Sequence, residues 1–191
     1  MIGGRYLILY NFMEYIDILD EKGNMTGESK EKMEIHRDGN LHRTVHIWFV
    51  NSKGEILLQH RSKEKINHPD MWDISVAGHI SSGESAEVGA LREIKEEIGI
   101  DVLPSQFEVV GEVVVHRVLN NGTYFDNEFN SIYLIKKDFN IEDIKMQESE
   151  VEDMRWLPIE EFKKWIDEKK SDLVDHGEEY ALLFKYLSKN Q

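Results

Sequence analysis

Between Gly78 and Ile100 the chain reads GHISSGESAEVGALREIKEEIGI, which sets Gly78, Glu84, Arg92, Glu93, Glu96, Glu97 and Gly99 at fixed intervals, with Ile94 and Ile100 at aliphatic positions. That order constrains both shape and chemistry. Residues 85 to 98 read as a helix: Ser85 suits the N-cap, Glu87 lies in the first turn, and Gly99 falls where a left-handed C-cap belongs. At about 100° per residue, Ala90, Leu91, Ile94 and Ile98 share one side, while Glu93, Glu96 and Glu97 converge on the other. Like charges so placed repel, so the patch calls for Arg92 beside it and a hard divalent cation above it. Oxygen ligands without a thiolate suit Mg²⁺ or Mn²⁺. A bare REIKEE run in a chain of net charge -14 would read as a solvated helix face. Gly78 and Glu84 at their set distances turn it into a metal-site pattern. Gly78 is expected in a tight turn before the helix, where a backbone carbonyl can approach the metal.

The complete pattern resembles the Nudix box, and the chain is similar to the Nudix hydrolase family. That resemblance implies an α/β fold, a Nudix-type α/β/α sandwich with a mixed central sheet. It also implies that Glu97 is a direct metal ligand, that Glu93 and Glu96 are ligands or the base that activates water, and that Arg92 orients a glutamate. Family members differ over the base, and some recruit an acid from a later loop. Glu148, Glu150 and Glu152 are the candidates here, although each alone reads as a solvated charge. The implied reaction is attack of a metal-activated water on a phosphorus of a diphosphate, with cations neutralising the charge that develops.

The flanks HRDGNLHRTVHIWFVNSKGEILLQHRS, WDISVAGHI and FDNEF resemble the branch containing isopentenyl-diphosphate isomerase. The resemblance implies a second metal site on His36, His42, His79, Asp126 and Glu128. A single histidine in a polar loop is usually just a histidine; the set of five in matching segments carries the expectation. His46, His60, His68, His116 and His176 receive no assigned role. Trp48, Trp72 and Phe125 are candidates to stack on a base or prenyl chain, against the commoner alternative that such residues are core. Of these, Trp72 and Phe125 are taken as the substrate-binding pair. Where an isomerase carries its catalytic cysteine this chain has Ala77, which can neither donate nor accept a proton. Together with the intact box, Ala77 favours hydrolysis of a nucleoside diphosphate-linked or similar small molecule. The alternatives are an isomerase using another acid and a non-catalytic diphosphate sensor, against which three crowded carboxylates argue.

At 191 residues the chain is expected to form one domain over 1-191, with 1-12 a candidate N-terminal extension and the resemblance covering 14-190. With 37 acidic against 23 basic residues, a sequence-independent grip on nucleic acid is not expected, so a polyanionic substrate needs metal to approach. No cysteine is present, which excludes a thiol nucleophile and fits a reducing cytoplasm. YLILYNF is too short to span a bilayer, so no membrane partner is expected. A homodimer is the candidate assembly, since relatives often pair.

Alternating or apolar runs place a hairpin over 14 to 27, a helical piece ending near Asp38-Gly39, strands at 43 to 51, 55 to 61 and 72 to 78, and further strands at 107 to 118 and 128 to 137. MRWLP then leads into helices over 159 to 170 and 178 to 187.

Overall fold

The computed structural model describes residues 13–189; the candidate extension at 1-12 lies outside them. The first hairpin joins β1 (Tyr15–Leu19) to β2 (Met25–Glu31). Asp20 closes its turn by accepting from the backbone N–H of Lys22 and Asn24, each at 2.9 Å. Helix α1 (Lys32–Asp38) starts where the Glu31 side chain accepts from Met33 and Glu34 N–H, and stops at Gly39, whose φ of 71° few other residues would adopt. Then follow β3 (His42–Val50), β4 (Glu55–Arg61), β5 (Trp72–Asp73), β6 (Val76–His79), α2 (Ala86–Glu97), β7 (Glu108–Leu119), β8 (Tyr124–Lys136), β9 (Val151–Pro158), α3 (Ile159–Asp167) and α4 (Glu178–Lys189).

Strand β3 organises the mixed sheet. It runs parallel to β8 along its whole length, from His42 opposite Glu128 to Val50 opposite Lys136, and antiparallel to β6 on its other edge. Its alternation fixes the layers. Val45, Ile47 and Phe49 pack with Ala90 and Ile94 of α2 and with Ile98 at its end, while Trp48 and Val50 pack with Phe162, Tyr180 and Leu183 of α3 and α4. The result is an α/β/α sandwich with a mixed central sheet, as expected.

Strands β3 and β4 pair at Val50 and Ile56 and then diverge; β6 takes over the edge of β3, and β5 and β9 the edges of β4. A cleft of about 900 Å³ is lined from both sides of this split. The segment 72 to 78, expected as one strand, is two, because Ser75 leaves the ladder to bridge the fork. Its hydroxyl donates to Leu57 O of β4 at 2.6 Å and accepts from Phe49 N–H of β3 at 3.0 Å. Strand β8 begins four residues earlier than expected, which carries 124 to 127 into the sheet. Among the described residues no helix is long and apolar enough to cross a membrane.

Ser75→Ala strands a buried N–H and a buried C=O at the fork. It is expected to lower the unfolding free energy by about 2–4 kcal/mol in a urea titration; an unchanged midpoint would remove Ser75 as the bridge.

Candidate metal and substrate cleft

The acidic helix follows its expected frame: Ser85 accepts from Val88 N–H, and Gly99 sits at φ 70° just past the end. Its glutamates differ in environment. Glu93 and Glu97 are buried, whereas Glu96 is exposed at the cleft rim, so the three do not form the uniform polar face drawn from helical periodicity. Arg92 gathers the charges. Its Nη1 donates to Glu93 at 2.7 Å and Glu96 at 3.2 Å, its Nη2 to His79 O at 2.8 Å and Glu84 at 3.1 Å, and its Nε to Glu84 at 3.2 Å. Glu84 also accepts from Ser81 N–H, which fastens the loop before α2. Glu84 therefore anchors the arginine.

Burial pushes the Glu93 carboxyl up to about 7 even against Arg92. Burial, with Glu93 adding, pushes Glu97 up to about 8. The contact to Glu97 from Gln59 is long, at 3.4 Å. Glu93 has Arg92 on one oxygen and Glu97 has only that long contact, so the two buried carboxylates together carry more negative charge than their partners offset, the character of a cation site. Gly78 is not in a turn, as expected from sequence; it lies within β6 opposite Val45. Its missing side chain matters for another reason: a Cβ there would overlap the Glu93 carboxyl carbon and Cγ.

On the opposite face of β6, His36, His42 and His79 place one ring nitrogen each within 4.8 Å of one another. Backbone carbonyls orient two rings: His36 Nδ1–H donates to Phe125 O at 3.1 Å, and His42 Nδ1–H to Asn40 O at 2.9 Å. Burial holds all three below the usual histidine range, His42 at about 4, so the rings are neutral at pH 7. Neutral His42 then points a lone pair from Nε2, and this fully buried atom has no hydrogen-bond partner among the described residues. Glu128 Oε1 stands 3.9 Å from Nε2 of both His42 and His79, and Asp126 4.0 Å from His36. His36 Nε2 also lies 3.0 Å from His79 Nε2, so ring nitrogens and carboxylate oxygens crowd one small buried space. The structure thus brings all five residues together, and the donor set fits a divalent ion.

The aromatic candidates are placed otherwise. Trp72 is buried among Leu173 and Trp165, with the Arg155 guanidinium 3.9 Å above its ring, and does not line the cleft. Period two along β8 puts Tyr124, Asp126 and Glu128 on the cleft side and turns the Phe125 ring away. Tyr124, which sequence reasoning passed over, stacks on His36 at 4.1 Å. Of the later acids only Glu150 lines the cleft, paired with Lys65; Glu152 pairs with Lys63 at 3.0 Å outside it. Arg61, Asp73, His46 and His176 also line it, brought in by contacts too distant in sequence for local pattern to reveal.

The NUDIX domain model matches residues 40–176. Nudix hydrolase 3 of Arabidopsis thaliana is 38% identical over 176 residues, 90% of this chain but only 23% of that protein's length. Isopentenyl-diphosphate Delta-isomerase 2 of Photorhabdus laumondii is 31% identical over 146 residues, covering 76% of this chain and 78% of that one. Among solved structures, DR0079 from Deinococcus radiodurans shares the fold with a TM-score of 0.65 at 19% identity, covering 90% of this chain and 98% of that one.

Gly78→Ala forces Glu93 off its position under Arg92. It is expected to destabilise the protein by about 1–3 kcal/mol in thermal or urea unfolding, with wild-type stability the result that would contradict the close approach.

Proposed function

The chain belongs to the Nudix hydrolase family, in its isopentenyl-diphosphate isomerase-like branch, and on that premise we propose that it is a Mg²⁺- or Mn²⁺-dependent hydrolase cleaving a diphosphate bond in a small molecule, such as a nucleoside diphosphate-linked compound. Members of the family cleave diphosphate bonds and generally use divalent metal ions. The observation that carries the reading is the pair of buried carboxylates, Glu93 and Glu97, held beside Arg92 at the cleft.

In this reading Glu93, Glu96 and Glu97, with the Gly78 carbonyl, hold one cation, and His36, His42, His79, Asp126 and Glu128 hold a second. Divalent cations supply neutralisation of phosphoryl charge and lower the pKa of a bound water. Arg92 keeps Glu93 oriented and stops the acidic residues from repelling one another apart. Glu96 is exposed and bonded through one oxygen only, to Arg92, so its other oxygen is free to take a proton from water in the cleft. Ala77 lines the cleft with a methyl group that can move no proton, which disfavours isomerisation. The same reading makes the chain one Nudix domain acting in the cytoplasm on a small molecule rather than nucleic acid, with a homodimer as its candidate assembly.

Glu97→Gln is expected to abolish metal-dependent turnover in a screen of nucleoside diphosphates and triphosphates, nucleotide sugars, dinucleotides and prenyl diphosphates with products identified by mass; retained turnover would overturn the assignment. Cation binding must also displace protons from Glu93 and Glu97, whose pKa values of about 7 and 8 leave them substantially protonated at neutral pH. Calorimetry in buffers of different ionisation enthalpy should register proton release at pH 7, and affinity should rise as pH climbs through 7 to 8. Binding without proton release would place the ion elsewhere.

A further inference from the structure

Beside Ala77 lies a buried charged network that neither the acidic helix nor the histidine trio uses. His46 on β3 sits opposite Ala77 on β6 in antiparallel register, so the two side chains are neighbours on the face toward α4. Its Nδ1–H donates to Glu179 Oε2 at 2.6 Å, and the other oxygen of Glu179 accepts from Trp48 Nε1–H at 2.8 Å. Next to this pair His176 donates from Nε2 to Asp73 at 2.5 Å, and Arg61 donates to the second Asp73 oxygen at 2.8 Å. All four imidazole and carboxylate groups are buried.

A purely structural ion pair would account for His46 Nδ1 and leave Nε2 without a purpose. Nε2 has no hydrogen-bond partner among the described residues, and His46, although buried, lines the cleft. Ala77, opposite it on β6, lines the same cleft. A carboxylate on one ring nitrogen that aims the other at a reacting group is a recurrent means of orienting a catalytic imidazole. Burial by itself would push the ring down, but Glu179 outweighs it, with Glu128 on β8 and Asp73 on β5 adding, and holds His46 up at about 9. His176, lying before α4, is the other titratable group against the ring, at 5.3 Å between centroids. At neutral pH Nε2 therefore carries a proton.

We propose that His46 contacts the substrate directly, its Nε2–H donating a hydrogen bond to an anionic oxygen of the bound diphosphate ester, and that Glu179 is the positioning residue that aims it. The proposal rests on the hydrolytic reading above.

The test uses the full chain and a diphosphate substrate turned over by the wild type. His46→Asn keeps a donor for Glu179 but cannot reach into the cleft. It is expected to lower kcat/KM by about tenfold or more, as loss of a charge-assisted hydrogen bond would, in a variant that loses some thermal stability with its buried ion pair but still unfolds cooperatively above the assay temperature. Glu179→Gln is expected to move the alkaline fall of kcat/KM to lower pH, which loss of a merely structural contact would not do. On the wild type, ¹⁵N-histidine NMR with Mg²⁺ and the unhydrolysable imidodiphosphate should show a saturable shift of His46 Nε2, a readout independent of how the variants fold. A folded His46→Asn variant within twofold of wild type, or a His46 Nε2 signal unmoved while other cleft signals shift, overturns the proposal. If Glu97→Gln is inactive in the same assays, that failure concerns His46 alone; if Glu97→Gln is fully active, or no signal responds to imidodiphosphate, the hydrolytic reading falls and this proposal with it.

Discussion

The Arg92 guanidinium is the interaction on which the cleft depends. It donates to three glutamates and to the carbonyl of His79, so it ties α2, the loop before it and β6 into one rigid unit. Without it Glu93 would be a buried carboxylate facing another buried carboxylate, an arrangement that low-dielectric surroundings penalise heavily. Its planar fork suits this task, and lysine, with a single point charge, could not reproduce it. The glycine at 78 is part of the same device, because only a missing side chain lets Glu93 lie across β6 to reach the arginine.

Strand β6 is the hinge between two chemistries. One face holds Gly78 beneath Glu93; the other presents Ala77 to His46 and His79 to the histidine trio. The fork of β3 and β4 lets one cleft reach both faces, and Ser75 holds that fork at a fixed width. Hydrophobic burial from α2 on one side and from α3 and α4 on the other keeps the thin strand in place. Charged clusters on both sides then cost the fold less than they would in a mobile segment, because each is paired or poised for a cation.

Much of this was legible in the chain. The acidic helix was bounded correctly because its caps and its 3.6-residue period are local signals, and the five residues of the histidine group were named because they lie in short recognisable segments. What local pattern missed has physical causes. Helical periodicity does not reveal that α2 is buried on a second side, so the depth of Glu93 and Glu97 came from the structure. Ser75 satisfies backbone groups of two other strands, which no window around it shows. Starting β8 at Tyr124 changes which aromatic residue faces the cleft, and the alternation shared by Tyr124, Asp126 and Glu128 was the signal available for it. His46 and Glu179 meet across 133 residues, beyond any local reading.

The central claim is that Glu93 and Glu97 form a divalent-cation site at the cleft. Mn²⁺ titration of the full chain followed by electron paramagnetic resonance tests it most directly, with the double variant Glu93→Gln/Glu97→Gln beside the wild type. Wild type should bind Mn²⁺ saturably, and the folded double variant should lose the sites that these carboxylates provide. Identical Mn²⁺ binding by the two proteins would contradict the account.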